Sequence, residues 1–140
     1  MRGGSVFLDS GIFVALLDRT DDYHTAALRL FAHPPPKWCT SLAVVAETYS
    51  WFLHRLGEDA ARSFRLTIAE LPALALLSLD PGHHQRVVAK LERLRGRKLT
   101  YVDASSLVFM QRLRVPEVWG VDFDLGVEGA RVVPAGERSS

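Results

Sequence analysis

Short apolar runs alternate along the chain with longer segments whose apolar residues recur every three to four positions. Val6-Phe7-Leu8 ends at Asp9, and Ile12, Phe13, Leu16 and Leu17 follow at helical spacing. Trp38-Cys39-Thr40 reads as a second strand, and Ser41 as the N-cap of a helix from Leu42 to about His54. A further amphipathic helix runs from Glu58 to about Glu70. Leu74 to Leu79 is a third apolar run, and Asp80-Pro81 starts a helix that ends near Gly96. Asp103 begins a helix carrying Leu107, Val108, Met110 and Leu113. Val118-Trp119-Gly120-Val121 is a strand ending at Asp122, and Ala130 to Val133 is a last strand. Asp21-Asp22 opens the helix that contains Ala26, Ala27, Leu30 and Phe31, and Pro34-Pro35-Pro36 stops it. Strands alternating with helices predict an α/β fold: a mainly parallel central sheet covered on both faces, in three α/β/α layers.

No internal repeat, low-complexity stretch or linker divides the 140 residues, so the whole of 1–140 is read as a single domain. A chain of this length buries roughly 70% of the surface its unfolded form exposes. Every apolar run is interrupted before the ~20 residues of a membrane span. Met1-Arg2-Gly3-Gly4-Ser5 leads into a strand and lacks a signal peptide's cleavage pattern. A lone cysteine, Cys39, excludes an internal disulfide and cysteine-paired zinc sites. These features point to a reduced, cytoplasmic compartment. The polar tail from Ala135 is expected to be mobile.

The formal net charge is only +1, so no whole-molecule field announces a nucleic-acid partner. Between Arg86 and Lys98, however, six cations accompany one acid, Glu92. That stretch is either a solvated helix with cations at its C-terminal end or a phosphate contact.

Acidic residues mark one end of the predicted sheet. Ligands of open parallel sheets bind beyond the carboxyl ends of the strands, and Asp9 and Asp122 stand there. Each also suits a helix cap or a loop. Glu47 sits within the apolar Leu42 to Tyr49 segment and shares a helix face with Ala43, Val44, Ser50, Trp51 and His54. The opposing stripe is Leu42, Val45, Ala46, Tyr49, Phe52 and Leu53. A carboxylate bordering the core calls for a cation, metal or arginine. Asp103 reads as an N-cap whose oxygens can also face a metal. Asp124 is a weaker candidate, and Asp21 and Asp22 read as first-turn acids. Four converging carboxylates suit a hard cation such as Mg²⁺, which prefers oxygen ligands and keeps several waters.

In order along the chain, these segments resemble the PIN-domain family, especially its short bacterial members of the VapC toxin type. Val6 to Phe13 is similar to the family's opening strand, with Asp9 as first ligand and Ser10 as its small polar neighbour. Thr40 to Glu47 is similar to the second motif, Tyr101 to Ser105 to the third, and Gly120 to Leu125 to the fourth. The last motif commonly has Thr or Ser where this chain has Gly120, and Phe where it has Leu125; Asp122 is preferred over Asp124 as the fourth acid. The resemblance implies a Mg²⁺- or Mn²⁺-dependent endoribonuclease, often a homodimer, with metal held by Asp9, Glu47, Asp103 and Asp122. It also implies an antitoxin protein as partner.

Two other readings compete. A phosphohydrolase with an aspartyl nucleophile usually has a second Asp two residues after the first, where this chain has Gly11. A non-catalytic nucleic-acid or protein-binding module would have lost acids that are all present here. His24, His33, His54, His83 and His84 show no zinc spacing, and His83 and His84 are assigned to the surface. Trp38, Trp51 and Trp119 are assigned to core or interface rather than to base stacking. The helices around Tyr23–Phe31 and Glu58–Leu71 offer a dimer or antitoxin surface, but suit the core equally.

Overall fold

Val6, Phe7 and Leu8 are buried without exception, as the side chains of a strand covered on both faces must be. They belong to β1 (Ser5–Leu8), the central strand in a computed structural model that describes residues 4–135. The other strands are β2 (Lys37–Ser41), β3 (Ala75–Leu77), β4 (Glu117–Gly120) and β5 (Arg131–Pro134). They form one sheet in the order β3-β2-β1-β4-β5, and all four pairings are parallel. Val6 stands opposite Trp38 on one side and Glu117 on the other. The chain first winds outward from β1 through β2 to β3, then crosses back to β4 and β5. The order therefore reverses between β1 and β4, which opens a crevice at their carboxyl ends.

Six helices complete three α/β/α layers: α1 (Ser10–Leu17), α2 (His24–Ala32), α3 (Leu42–Leu56), α4 (Glu58–Glu70), α5 (Pro81–Arg93) and α6 (Tyr101–Leu113). Aromatic rings lock α1, α3 and α4 together. Phe13 meets Phe64 edge-on at 5.4 Å, and Phe52 stacks on Phe64 at 5.7 Å. Trp38 and Trp119, which share one face of the sheet on either side of β1, meet at 6.0 Å and are both buried. Their assignment to the core is correct.

Several local expectations need correction. Asp21 and Asp22 precede α2 rather than open it: Asp21 Oδ1 accepts a hydrogen bond from the Tyr23 backbone at 2.8 Å, an Asx-type turn, and the helix begins at His24. The third apolar run supplies only a three-residue edge strand, with Leu76 and Leu79 exposed. In α3 the buried positions are Ala43, Val44, Thr48 and Phe52, whereas Leu42 and Ala46 are exposed. The core-facing side of α3 is therefore largely the side that Glu47 shares. His83 is buried rather than superficial. Asp80 caps α5 through a 2.7 Å bond from the His83 backbone, which turns the imidazole inward. There it stacks on Phe109 at 4.0 Å, with Nε2 2.7 Å from Ser105 Oγ. His84 is exposed. The mobile tail expected from Ala135 fails at Ala135 itself, which is buried in the core; residues 136–140, like Met1, Arg2 and Gly3, lie outside the described ones.

The basic stretch divides. Lys90 is buried, with Nζ 2.7 Å from Glu128 Oε1 and 2.8 Å from Gln111 Oε1; Arg93 also pairs with Glu128, and Arg95 with Glu92. Half of that patch is thus committed to internal ion pairs.

Candidate active site

The crevice between β1 and β4 is where acids from four separate parts of the chain meet. Asp9 follows β1 directly. Its backbone N–H donates to Trp119 O at 3.0 Å, which extends the β1–β4 pairing by one step. Beside it Thr40 Oγ1 donates to Leu8 O at 2.6 Å, which ties the end of β1 to β2. Asp9 occupies the N-cap position of α1, yet its carboxylate makes no capping hydrogen bond. It is 4% exposed, and its Oδ1 is buried with no hydrogen-bond partner. Such an atom is costly to keep unless something outside the chain completes it.

Burial pushes the Asp9 carboxyl up to about 7 from an ordinary 3.8. The Ser10 backbone N–H pulls it back in part, while Asp103, Glu47 and Asp122 each push it further up. Each of these three acids therefore stands close enough to Asp9 to repel its charge. Burial also raises Asp103, against the pull of its Thr100 hydrogen bonds, and Asp122 and Asp124 add to the rise. Asp122 bears on both Asp9 and Asp103, which places it nearer the middle of the cluster than Asp124.

Each carboxylate is positioned by its own local device. Glu47 projects from the second turn of α3, whose N-cap Ser41 accepts from the Val44 backbone at 3.1 Å. Asp103 is not the N-cap of α6. Thr100 holds that position, and Asp103 completes a capping box: Thr100 Oγ1 accepts from the Asp103 backbone at 3.0 Å, and Asp103 Oδ2 accepts from the Thr100 backbone at 3.2 Å. Thr100 was missed in the sequence, although the Thr-x-x-Asp spacing signals it. Asp122 caps the 3-10 turn Phe123–Gly126 by accepting from the Asp124 backbone at 2.9 Å. Two glycines let these parts approach. A Cβ on Gly11 would meet Val121 Cγ2 at 2.5 Å, which also leaves no room for the second Asp of an aspartyl phosphohydrolase. A Cβ on Gly120 would crowd Leu125 and Asp9. His54 is exposed and enters none of the site's described contacts.

The donor set consists of carboxylate oxygens, the ligands that Mg²⁺ and Mn²⁺ prefer. Among the described residues no three His, Cys, Asp or Glu side chains stand as a ready-made ion cage. Mutual repulsion spreads carboxylates apart, and a cation is what reverses that repulsion. The partnerless Asp9 Oδ1 and the all-oxygen donor set fit a divalent ion.

Known proteins share this architecture. The 23S rRNA-specific endonuclease VapC20 of Mycobacterium tuberculosis is 28% identical over 132 residues, spanning 89% of this chain and 94% of that protein. The crystal structure of M. tuberculosis VapC20, described as a Sarcin-Ricin loop cleaving toxin, matches with a TM-score of 0.82 at 25% identity. That match covers 89% of this chain and 95% of the other. A toxin–antitoxin complex from Klebsiella pneumoniae has a chain of similar fold, with a TM-score of 0.62 at 20% identity over 93% of this chain and 97% of its own. The family model for the PIN domain matches residues 6–125, a span that runs from β1 through the acid-bearing turn after β4. The chain belongs to the PIN domain family.

Proposed function

We propose that this chain is a metal-dependent endoribonuclease and the toxin of a toxin–antitoxin pair. The observation that carries the reading is the convergence on Asp9 of Glu47, Asp103 and Asp122 around a buried oxygen that has no partner of its own. The likeness to VapC20, a 23S rRNA-specific endonuclease, supports RNA as the substrate class. The fold's presence in a toxin–antitoxin complex supports an antitoxin as partner. A homodimer remains part of the proposal, as does a cytoplasmic location; no helix among the described residues is long and apolar enough to cross a membrane.

Asp9, Glu47, Asp103 and Asp122 would hold Mg²⁺ or Mn²⁺. A divalent ion held there would lower the pKa of bound water and offset the charge that builds on a phosphodiester. The chain's own residues do the rest. Asp9 is the most rigid anchor, since its backbone is fixed in the sheet and its side chain is enclosed. The capping box orients Asp103, and the 3-10 turn orients Asp122. Burial favours the protonated form of Asp9 when no cation is present, and a cation held there would displace that proton.

The test is cleavage of RNA by the wild-type chain and by Asp9→Asn, with and without Mg²⁺ or Mn²⁺. Cleavage by the wild type alone, and only with metal, supports the reading. Equal cleavage by both proteins removes Asp9 from the mechanism. A calorimetric titration in which neither ion binds would favour a non-catalytic module.

A further inference from the structure

Next to the acids lies a separate recess of about 260 Å³, lined by Gly11, Val14, Asp21, Glu47, Trp51 and Val121 among others. It is smaller than the roughly 300–1,000 Å³ of pockets that take drug-sized ligands, so it suits one ring system rather than a folded strand. Glu47 belongs to both the recess and the acid cluster. A nucleotide whose phosphate lies at the acids therefore has an adjoining base within reach of the recess.

The lining has the chemistry to take that base. Of the three tryptophans, Trp38 donates its indole N–H to Pro72 O at 2.8 Å and Trp119 to Glu117 Oε2 at 2.9 Å, and both are buried. Trp51 differs on both counts. It is only partly buried, and among the described residues its indole N–H has no protein acceptor. Its ring is nonetheless held in place, edge-on against Phe52 at 5.2 Å and with the Arg55 guanidinium 5.5 Å from its centroid. Asp21 is fixed by the bond its Oδ1 accepts from the Tyr23 backbone, and Oδ2 has no protein donor among the described residues. Apolar walls from Val14 and Val121, a fixed indole face and a fixed carboxylate with an unused acceptor suit a planar heterocycle. Such a ring must carry N–H groups on its edge, as nucleobases do.

We infer that this recess receives the nucleobase next to the cleaved phosphodiester, with Trp51 as its stacking surface and Asp21 as the reader of its N–H groups. Trp51 and Asp21 are then specificity residues of the reaction. The inference rests on the nuclease reading, and its test measures binding apart from cleavage.

Labelled RNA octamers of A, C, G or U are titrated against the Asp9→Asn chain, which on the proposed mechanism would bind RNA without cutting it. A preference among the four is expected. Trp51→Ala should weaken the preferred octamer roughly 10- to 100-fold, the usual effect of losing one base–aromatic stack, and bring the four toward parity. Trp51→Phe keeps a ring and should retain part of the affinity, while Asp21→Asn should change which base is preferred. If Trp51→Ala unfolds the chain, Trp51→Phe, which keeps an aromatic ring, and the isosteric Asp21→Asn carry the test. Unchanged binding in these variants, or equal weakening of all four octamers, overturns the inference and leaves the recess to a protein side chain. A wild-type chain that cuts no RNA while the base preference persists defeats the nuclease reading alone.

Discussion

Gly120 backs directly onto Asp9: a Cβ at position 120 would stand 3.3 Å from the Asp9 Cβ, 3.7 Å from its Oδ2 and 3.1 Å from Leu125 Cδ1. Asp9 and Leu125 are both buried, so neither has open space to retreat into. Gly120→Ala should destabilise the chain by roughly 1–3 kcal/mol through overpacking, and Gly120→Thr by more. The Thr common elsewhere in the family at this position is thus expected to harm this chain, because Leu125 occupies the space. Thermal unfolding followed by circular dichroism, with RNA cleavage measured in parallel, checks both points. An unchanged Tm in Gly120→Thr would refute this account of the corner.

Asp9 makes the metal-free chain sensitive to pH. Its folded carboxyl, pushed up to about 7, lies above the unfolded 3.8. The folded state therefore binds the extra proton between those values, and stability falls as pH rises from about 4 to 7. At ~1.4 kcal/mol per unit the loss is at most on the order of 4 kcal/mol. Asp9→Asn should remove that slope and stabilise the metal-free chain near pH 7 while abolishing cleavage. Mg²⁺ should restore wild-type stability and do little for the variant. Urea unfolding at a series of pH values, with and without metal, measures all of this.

His83 works with the opposite sign. Burial lowers its pKa below 6.5, helped by Arg112 and Arg86 and opposed by Asp80. Its neutral form stacks on Phe109, and protonation must break into that packing. The stability it contributes is present above the unfolded pKa and is lost as pH falls from about 6.5 through the lowered folded value. Since Asp9 tilts the same window the other way, the effect is clearest in the Asp9→Asn background. There, urea midpoints should fall between pH 7.5 and 5.5, and His83→Gln should flatten the fall.

Lys90 and Glu128 form an asymmetric pair. Lys90 is 7% exposed and needs its acceptors; Glu128 also has Arg93, which is 58% exposed. Glu128→Gln strips charge from beside a buried cation and should cost about 1–3 kcal/mol, short of the 3–5 typical of fully buried pairs. Lys90→Met leaves Glu128 paired with Arg93 and should cost less. Chemical denaturation of the two single variants and the double decides the order. A larger cost for Lys90→Met would reverse the argument.

The acids were legible because a carboxylate at the end of an apolar strand, or within an apolar helix, has few ordinary reasons to be there. Asp9 and Glu47 stood out on that ground, and their segments folded as their periodicity indicates. Strand order was not legible, because hydrophobic runs do not say which neighbour they pair with; the reversal between β1 and β4 emerges only from the packed sheet. The face of α3 misled for a related reason. Its periodic stripe is apolar on both sides, and helix α4 and the sheet decide which side is covered. His83 could not be placed from its neighbours in sequence, since Phe109 and Ser105 reach it from another helix. Trp51 was grouped with Trp38 and Trp119 because composition cannot distinguish an indole that has found an acceptor from one that has not.

The last acid of the cluster, Asp122, lies in the turn after β4, whereas the first, Asp9, follows β1 directly. A ribosome making this protein has therefore released Asp9 and Glu47 long before Asp122 exists to join them. Until the second half of the sheet docks, the nascent chain has no complete charge cluster to attract a cation. Any metal-dependent activity would then be withheld until the turn after β4 has emerged and docked. Chains truncated before Glu117 should accordingly show no Mn²⁺ affinity in titration calorimetry, and strong binding by such fragments would contradict that order of events.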